Sequence, residues 1–145
     1  MYSFEVTTIV QADPAALWQA WTDMPRFPQW DPREEETRLD GPFAAGTSGW
    51  SKQRGNPGGP FTIARIVEGR RWDVTSPLPG GKLDITHEIS PLPDGKVQLR
   101  KQYDVHGPLT VLFRLHYARK VRKAMPDSFA ALVGEATRLA AGSSS

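Results

Sequence analysis

An α+β fold is predicted, with about seven antiparallel strands curved around one long C-terminal helix and short helices after the first strand. Three observations lead there. Up to His106 the chain breaks into strand-sized pieces; helical periodicity interrupts them only once, just after the first; and residues 108–140 carry one unbroken helical stripe. That stripe is Leu109, Leu112, Phe113, Tyr117, Val121, Met125, Phe129, Leu132, Val133, Ala136 and Leu139, at three-and-four spacing, with Arg119, Lys120, Arg122 and Lys123 opposite. A stripe that long needs a partner of similar length, and only the strands can supply it.

Taken in order, residues 2–10 alternate Phe4, Val6, Thr8 and Val10 against Ser3, Glu5, Thr7 and Ile9, a first strand. Asp13 then caps a short helix with Pro14 in its first turn and Leu17, Trp18 and Trp21 on its apolar face. Pro25, Pro28 and Pro32 allow at most one further helical turn before the next strand. Six more strands are expected at 34–39, 47–54, 61–68, 71–76, 83–90 and 97–106, separated by Gly-, Pro- and Asp-rich turns. In the last helix Pro126 removes the N–H that would reach Arg122, which predicts a kink or restart near Met125. The domain is therefore 1–140, with 141–145 a flexible tail by composition.

At 145 residues one domain is expected. With no cysteine, disulfides, thiolate metal sites and a cysteine nucleophile are excluded. The start has no basic or apolar leader pattern, and no run approaches the roughly 18 apolar residues of a membrane span. A soluble, cytoplasmic protein follows as the expectation. Eighteen basic residues against 16 acidic is too balanced to imply nucleic acid. The basic cluster at 114–123 reads as the solvated back of the helix, with contact to phosphates or an anionic membrane as the other reading. His87, His106 and His116 are not at metal-ligand spacing, so no metal site is expected. No cofactor is implied: the loop at 55–60 lacks the Lys-Ser/Thr of a P-loop, and no nucleophile elbow is present. Glu34, Glu35 and Glu36 read as a surface run.

Residues 12–23, Ala-Asp-Pro-Ala-Ala-Leu-Trp-Gln-Ala-Trp-Thr-Asp, followed by Phe27-Pro28-Gln29-Trp30, resemble the opening of the START-related, pollen-allergen-like helix-grip superfamily. This is the SRPBCC group of polyketide cyclase/dehydrase and lipid-transport proteins. Gly46-Thr47 before a strand and Gly107-Pro108 before the last helix are similar to it as well. The resemblance implies a helix-grip fold with a pocket between sheet and helix, and it places Phe27 and Trp30 at the mouth. It spans lipid carriers and sensors, cyclases or dehydratases, and chaperone-activator or toxin-partner modules that would use the outer sheet surface.

Period-two counting supplies the pocket wall independently. Leu83, Ile85, His87 and Ile89 share one face, as do Val97, Leu99, Lys101, Tyr103 and Val105, so His87, Lys101 and Tyr103 point toward the helix. The Pro93-Asp94-Gly95 turn makes these strands a hairpin, with His87 opposite or diagonal to Leu99 or Lys101. Trp72 and Val74 face inward. Arg65 points inward if it shares a face with Phe61, Ile63 and Val67, and outward if Thr62, Ala64 and Ile66 face the core. Alternation leaves Trp50 undecided. Phe113, Tyr117, Val121, Met125 and Phe129 complete the wall from the helix, where plain core packing explains each equally well.

A buried imidazole and ammonium need partners, water or a ligand, since each is costly if dry and alone. The expected function is binding of an apolar or amphipathic small molecule. The alternative is a cyclase- or dehydratase-like enzyme in which His87, Tyr103 and Lys101 act as acid and base on a carbonyl ligand. A protein-interaction module is the third reading, and oligomeric state is left open.

Overall fold

The computed structural model describes residues 1–143. Strand β1 (Tyr2–Gln11) leads into α1 (Pro14–Thr22), a 3-10 turn (Met24–Arg26) and α2 (Phe27–Trp30). Six strands follow: β2 (Glu34–Leu39), β3 (Ser48–Gln53), β4 (Gly59–Val67), β5 (Arg71–Leu78), β6 (Gly81–Pro91) and β7 (Lys96–His106). A helical rod then runs through α3 (Thr110–Leu112), a π-helical turn (Phe113–Tyr117) and α4 (Ala118–Ser143).

All strand pairs are antiparallel, in the order β1-β7-β6-β5-β4-β3-β2. Sequential neighbours pair except at the start, where β1 joins the far edge of the sheet beside β7. The helices between β1 and β2 span the distance between those edges. Asp13 caps α1 as its side chain predicts, Oδ1 accepting from the Ala15 N–H at 3.3 Å. Ala16, Leu17 and Ala20 then bury the inner face of α1, which packs on α4.

The sheet's inner face supplies Phe4, Ile63, Trp72, Leu99, Tyr103 and Val105, and α4 answers with Val121, Met125, Phe129, Leu132 and Ala136. Burying each large side chain contributes about 1.5–3 kcal/mol against its exposed state. This is the helix-grip architecture that the strand and helix pattern predicts.

Two β-bulges change what alternation implies. The register of β4 shifts between Ile63 and Arg65, so Phe61 and Ile63 face inward, Ala64 and Arg65 are exposed, and Ile66 turns back beside Trp72. Each of the two registers weighed for this strand holds over half of it, and Arg65 is left exposed. On β2 the shift between Glu34 and Glu36 turns Glu34 and Thr37 inward and leaves Glu35 and Glu36 outside. The triple glutamate is therefore not wholly a surface run.

The long helix also departs from expectation. Pro126 lies inside α4 without interrupting it, and the slip in the hydrogen-bond ladder comes earlier, in the π turn. Its C-terminal end passes Ala140 and stays helical to Ser143, three residues into the stretch read as a tail; Ser144 and Ser145 lie outside the described residues.

Candidate functional site

Between the concave face of the sheet and the helical rod lies a cavity of about 100 Å³. One part of its wall is aromatic and aliphatic, from Trp21, Met24, Phe27, Phe61, Trp72 and Leu83. The other is polar, from Arg33, Glu34, His87, Lys101, Tyr103 and Tyr117. Ser51, Gln53, Ser76, Leu83 and Tyr117 also border a larger outer depression of about 630 Å³. That depression lies among the β3–β4 loop, the β5–β6 turn and the start of the helical rod, with Pro57, Pro60, Leu78, Leu112 and Phe113 in its rim.

Adjacent strands β5, β6 and β7 bring two of the polar groups together with Trp72. Trp72 pairs with His87 and His87 with Lys101, so the indole, imidazole and ammonium stand in one row across the sheet. The His87 ring stacks on Trp72 with centroids 3.6 Å apart, and its Nδ1 lies 3.1 Å from the Trp72 carbonyl oxygen. A carbonyl can only accept, so Nδ1 carries the proton and Nε2 is left as a lone pair. Burial, then the Lys101 charge, hold His87 well below the usual histidine range, which keeps it neutral.

The cluster's remaining charges come from β2 and the residue before it. Asp31 accepts from the Arg33 N–H at 2.9 Å and from Ser128 Oγ at 2.8 Å, fixing the bend after α2 against α4. Arg33 is thereby placed beside Tyr103 and Tyr117, with Nη1 3.4 Å from Met125 Sδ. Burial opposes its charge, yet the two tyrosines and Glu34 outweigh that and hold the guanidinium firmly protonated. The Tyr117 phenol is pushed up, mainly by burial and by Tyr103, against the pull of Arg33.

Glu34 accepts from Gln53 Nε2 at 3.3 Å on both oxygens and from Thr37 Oγ1 at 3.2 Å. Burial raises its carboxyl above the usual range, although Lys101 pulls the other way. Among the described residues neither Arg33 nor Lys101 has a carboxylate within 4.0 Å, and the buried indole N–H groups of Trp30 and Trp72 have no acceptor. The cavity is thus lined by two indole donors without acceptors and two cations without a carboxylate.

Of the residues expected from sequence, Phe27, Trp30, Trp72, Val74, Ile85, His87, Lys101, Tyr103 and Tyr117 line this cavity. Phe27 and Trp30 stand in its wall, while the rim of the outer depression is built from other segments. Phe113 lies on that rim. Val121 borders a separate cleft with Arg54 and Lys120, and Leu99 and Phe129 are core. Met125 touches the site from behind through Arg33 and Tyr103. Trp50 is half-buried under the β3–β4 loop at Gly58, and Arg65 is exposed. Arg33 and Glu34 are the functional candidates that alternation missed. The one signal in their favour is the Glu34/Thr37 spacing across a bulge, which period-two counting does not see.

Fold and cavity together define a helix-grip protein with a polar cluster sunk in an aromatic pocket. The sequence model for polyketide cyclase/dehydrase and lipid transport matches residues 1–137, and the chain belongs to that family. Among solved structures it is similar to the ZhuI aromatase/cyclase from Streptomyces sp. R1128, at 15% identity over 94% of each chain with a TM-score of 0.75. A START superfamily protein from Mycobacterium smegmatis shares 17% identity over 94% of this chain and 98% of that one, with a TM-score of 0.69. Norcoclaurine synthase from Thalictrum flavum aligns at 11% identity over 96% of this chain and 86% of that one, also with a TM-score of 0.69. At such identities the likeness is one of fold. No curated protein matches the chain. Among the described residues no helix is long and apolar enough to cross a membrane.

Proposed function

We propose that the protein binds an amphipathic small molecule whose acceptor oxygens, as carbonyl, enolate or carboxylate, enter the polar cluster while its apolar body extends into the outer depression. The observation that carries this reading is two buried indole N–H groups without acceptors, Trp30 and Trp72, beside two cations without a carboxylate, Arg33 and Lys101, around one cavity. Left dry, each of these indole N–H groups would cost on the order of 1–3 kcal/mol, and an oxygen-bearing ligand removes that cost. Size supports the two-part placement. Sites for drug-sized ligands run to about 300–1,000 Å³, so the inner cavity of about 100 Å³ takes only a head group and the depression of about 630 Å³ takes the rest.

The test is calorimetric titration with a long-chain carboxylate, the matching methyl ketone and the matching alkane. The carboxylate and ketone should bind more tightly than the alkane. Equal affinity for all three would mean that the donors do not read the ligand.

A second reading is favoured by His87. A neutral imidazole with a free Nε2, across the pair from Lys101, suits removal of a proton next to a carbonyl that Lys101 or Arg33 polarises. This is cyclase- or dehydratase-like chemistry, and an aromatase/cyclase stands among the similar structures. Turnover of a polycarbonyl substrate that His87→Gln abolishes, with binding retained, would establish it; turnover unaffected by that change would remove it.

A further inference from the structure

The start of the helical rod leaves apolar side chains in solvent. Val111, Leu112 and Leu115 are 65%, 53% and 59% exposed, on consecutive turns of one outward face. The other large exposed hydrophobics, Met1, Ile9 and Val67, are scattered singly. Continuing that face along the rod come Arg119, Arg122 and Lys123, with Arg114 and Lys120 beside it. Residues 107–126 hold these five cations and no Asp or Glu. No carboxylate among the described residues pairs with any of them; Lys120 is tied to the carbonyl of Gly55 and to Asn56, and Arg122 lies over Phe4.

We propose that this face docks on an anionic lipid bilayer, with Val111, Leu112 and Leu115 entering the interface and Arg114, Arg119 and Lys123 meeting the headgroups. An apolar tip backed by a collar of cations without carboxylate partners is the pattern of an interfacial helix. A second copy of the chain suits it poorly, because an isologous contact would set five cations against five. The position adds meaning. Leu112 and Phe113 form part of the rim of the outer depression, so docking presents that opening to the membrane. The surface stands whatever the cavity holds, and its test reads membrane association alone.

Flotation with vesicles of phosphatidylcholine, and of phosphatidylcholine carrying phosphatidylserine, should recover the protein with the second and much less with the first. Each cation contributes about 1 kcal/mol near such a surface, so Arg119→Gln with Lys123→Gln should weaken binding by roughly 10- to 30-fold, as should added salt. Leu112→Ser with Leu115→Ser should abolish it, with the circular dichroism spectrum unchanged. Because the chain has no cysteine, Leu115→Cys accepts a single environment-sensitive label, whose emission should shift to the blue on anionic vesicles. The same label at exposed Thr7→Cys should not shift. Failure to float with anionic vesicles overturns the proposal. So do shifts at both labels, binding indifferent to the leucine changes, or a lipid-free dimer that Leu115→Ser dissociates.

Discussion

His87 and Trp72 lie flat against each other, their planes 1° from parallel and their centroids 3.6 Å apart across the β5–β6 pair. The same tryptophan holds the imidazole a second time through its backbone carbonyl, and Trp21 closes over the ring edge-on at 5.2 Å. A ring so confined has one tautomer and one orientation. Protonated, it would gain from the indole face, but burial and Lys101 act in the opposite direction and prevail.

That balance makes stability depend on acid. The unfolded histidine titrates near its ordinary value of 6.5, whereas the folded one stays neutral well below it. Between the two, only the unfolded chain holds the proton, so this stabilisation is complete above about pH 6.5 and declines as pH falls beneath it. Glu34 works with the opposite sign. Its folded carboxyl takes up a proton above the ordinary value of 4.5, so falling pH through that range favours the folded chain. Comparing the wild type with His87→Phe cancels the glutamate. The urea midpoint of the wild type should fall more steeply between about pH 6.5 and 5 than that of the variant. Parallel slopes would contradict a buried neutral histidine.

Arg33 stands without a carboxylate in an aromatic setting, so its removal separates binding from folding. A cation held away from water with no carboxylate partner is costly, and an apolar side chain of similar length removes that desolvation cost. Arg33→Met should therefore leave the thermal midpoint unchanged or higher. Affinity for an oxygen-bearing ligand should drop by the worth of a charged hydrogen bond, about 1.5–3 kcal/mol. Parallel melting and titration curves measure both. An unstable variant, or one that binds as the wild type does, would assign Arg33 a structural role.

How far the site can be read from residue order follows from where alternation survives. His87, Lys101 and Tyr103 lie on β6 and β7, which pair without a bulge over their whole length, and parity alone places them inward. Trp72 and Val74 follow on β5 for the same reason. Arg65 and Glu34 fall at bulges, where one extra residue reverses parity without any mark in the residue types. Arg33 precedes a strand altogether, and its direction is set by Asp31 and Ser128, residues that meet only in the folded chain. The apolar stripe and the basic residues of the rod are equally plain in the sequence. What it does not reveal is that the rod's first turns reach past the sheet, leaving Leu112 of the stripe uncovered beside Val111 and Leu115, which lie off it.

Pro126 sits in the interior of α4, where the backbone lacks one hydrogen bond and the ring crowds the preceding turn. It is exposed, so nothing in the core depends on its ring. Pro126→Ala should restore the bond to the Arg122 carbonyl and raise stability by about 1–3 kcal/mol, less whatever rigidity the unfolded chain loses. A thermal midpoint that falls instead would mean that α4 needs the proline's geometry to follow the sheet.

Trp50 and Gly58 occupy space that leaves no room for a methyl group. A Cβ at Gly58 would lie 1.9 Å from Trp50 Cζ2 and 2.2 Å from Cη2, while one at neighbouring Gly59 would meet nothing within 4 Å. Gly58→Ala must therefore displace the indole or the β3–β4 loop, at a cost of about 1–3 kcal/mol typical of overpacking, and Gly59→Ala should change little. Trp50→Ala made in the Gly58→Ala background should recover part of the loss, because the clash then has only one member left. Both glycines border the outer depression, but only Gly58→Ala displaces the loop, so ligand affinity should change more in Gly58→Ala than in Gly59→Ala. Urea denaturation of the four chains, with titration of one bound ligand, measures both effects. Equal stability of the two alanine variants would show that the loop yields freely and that Trp50 does not fix it.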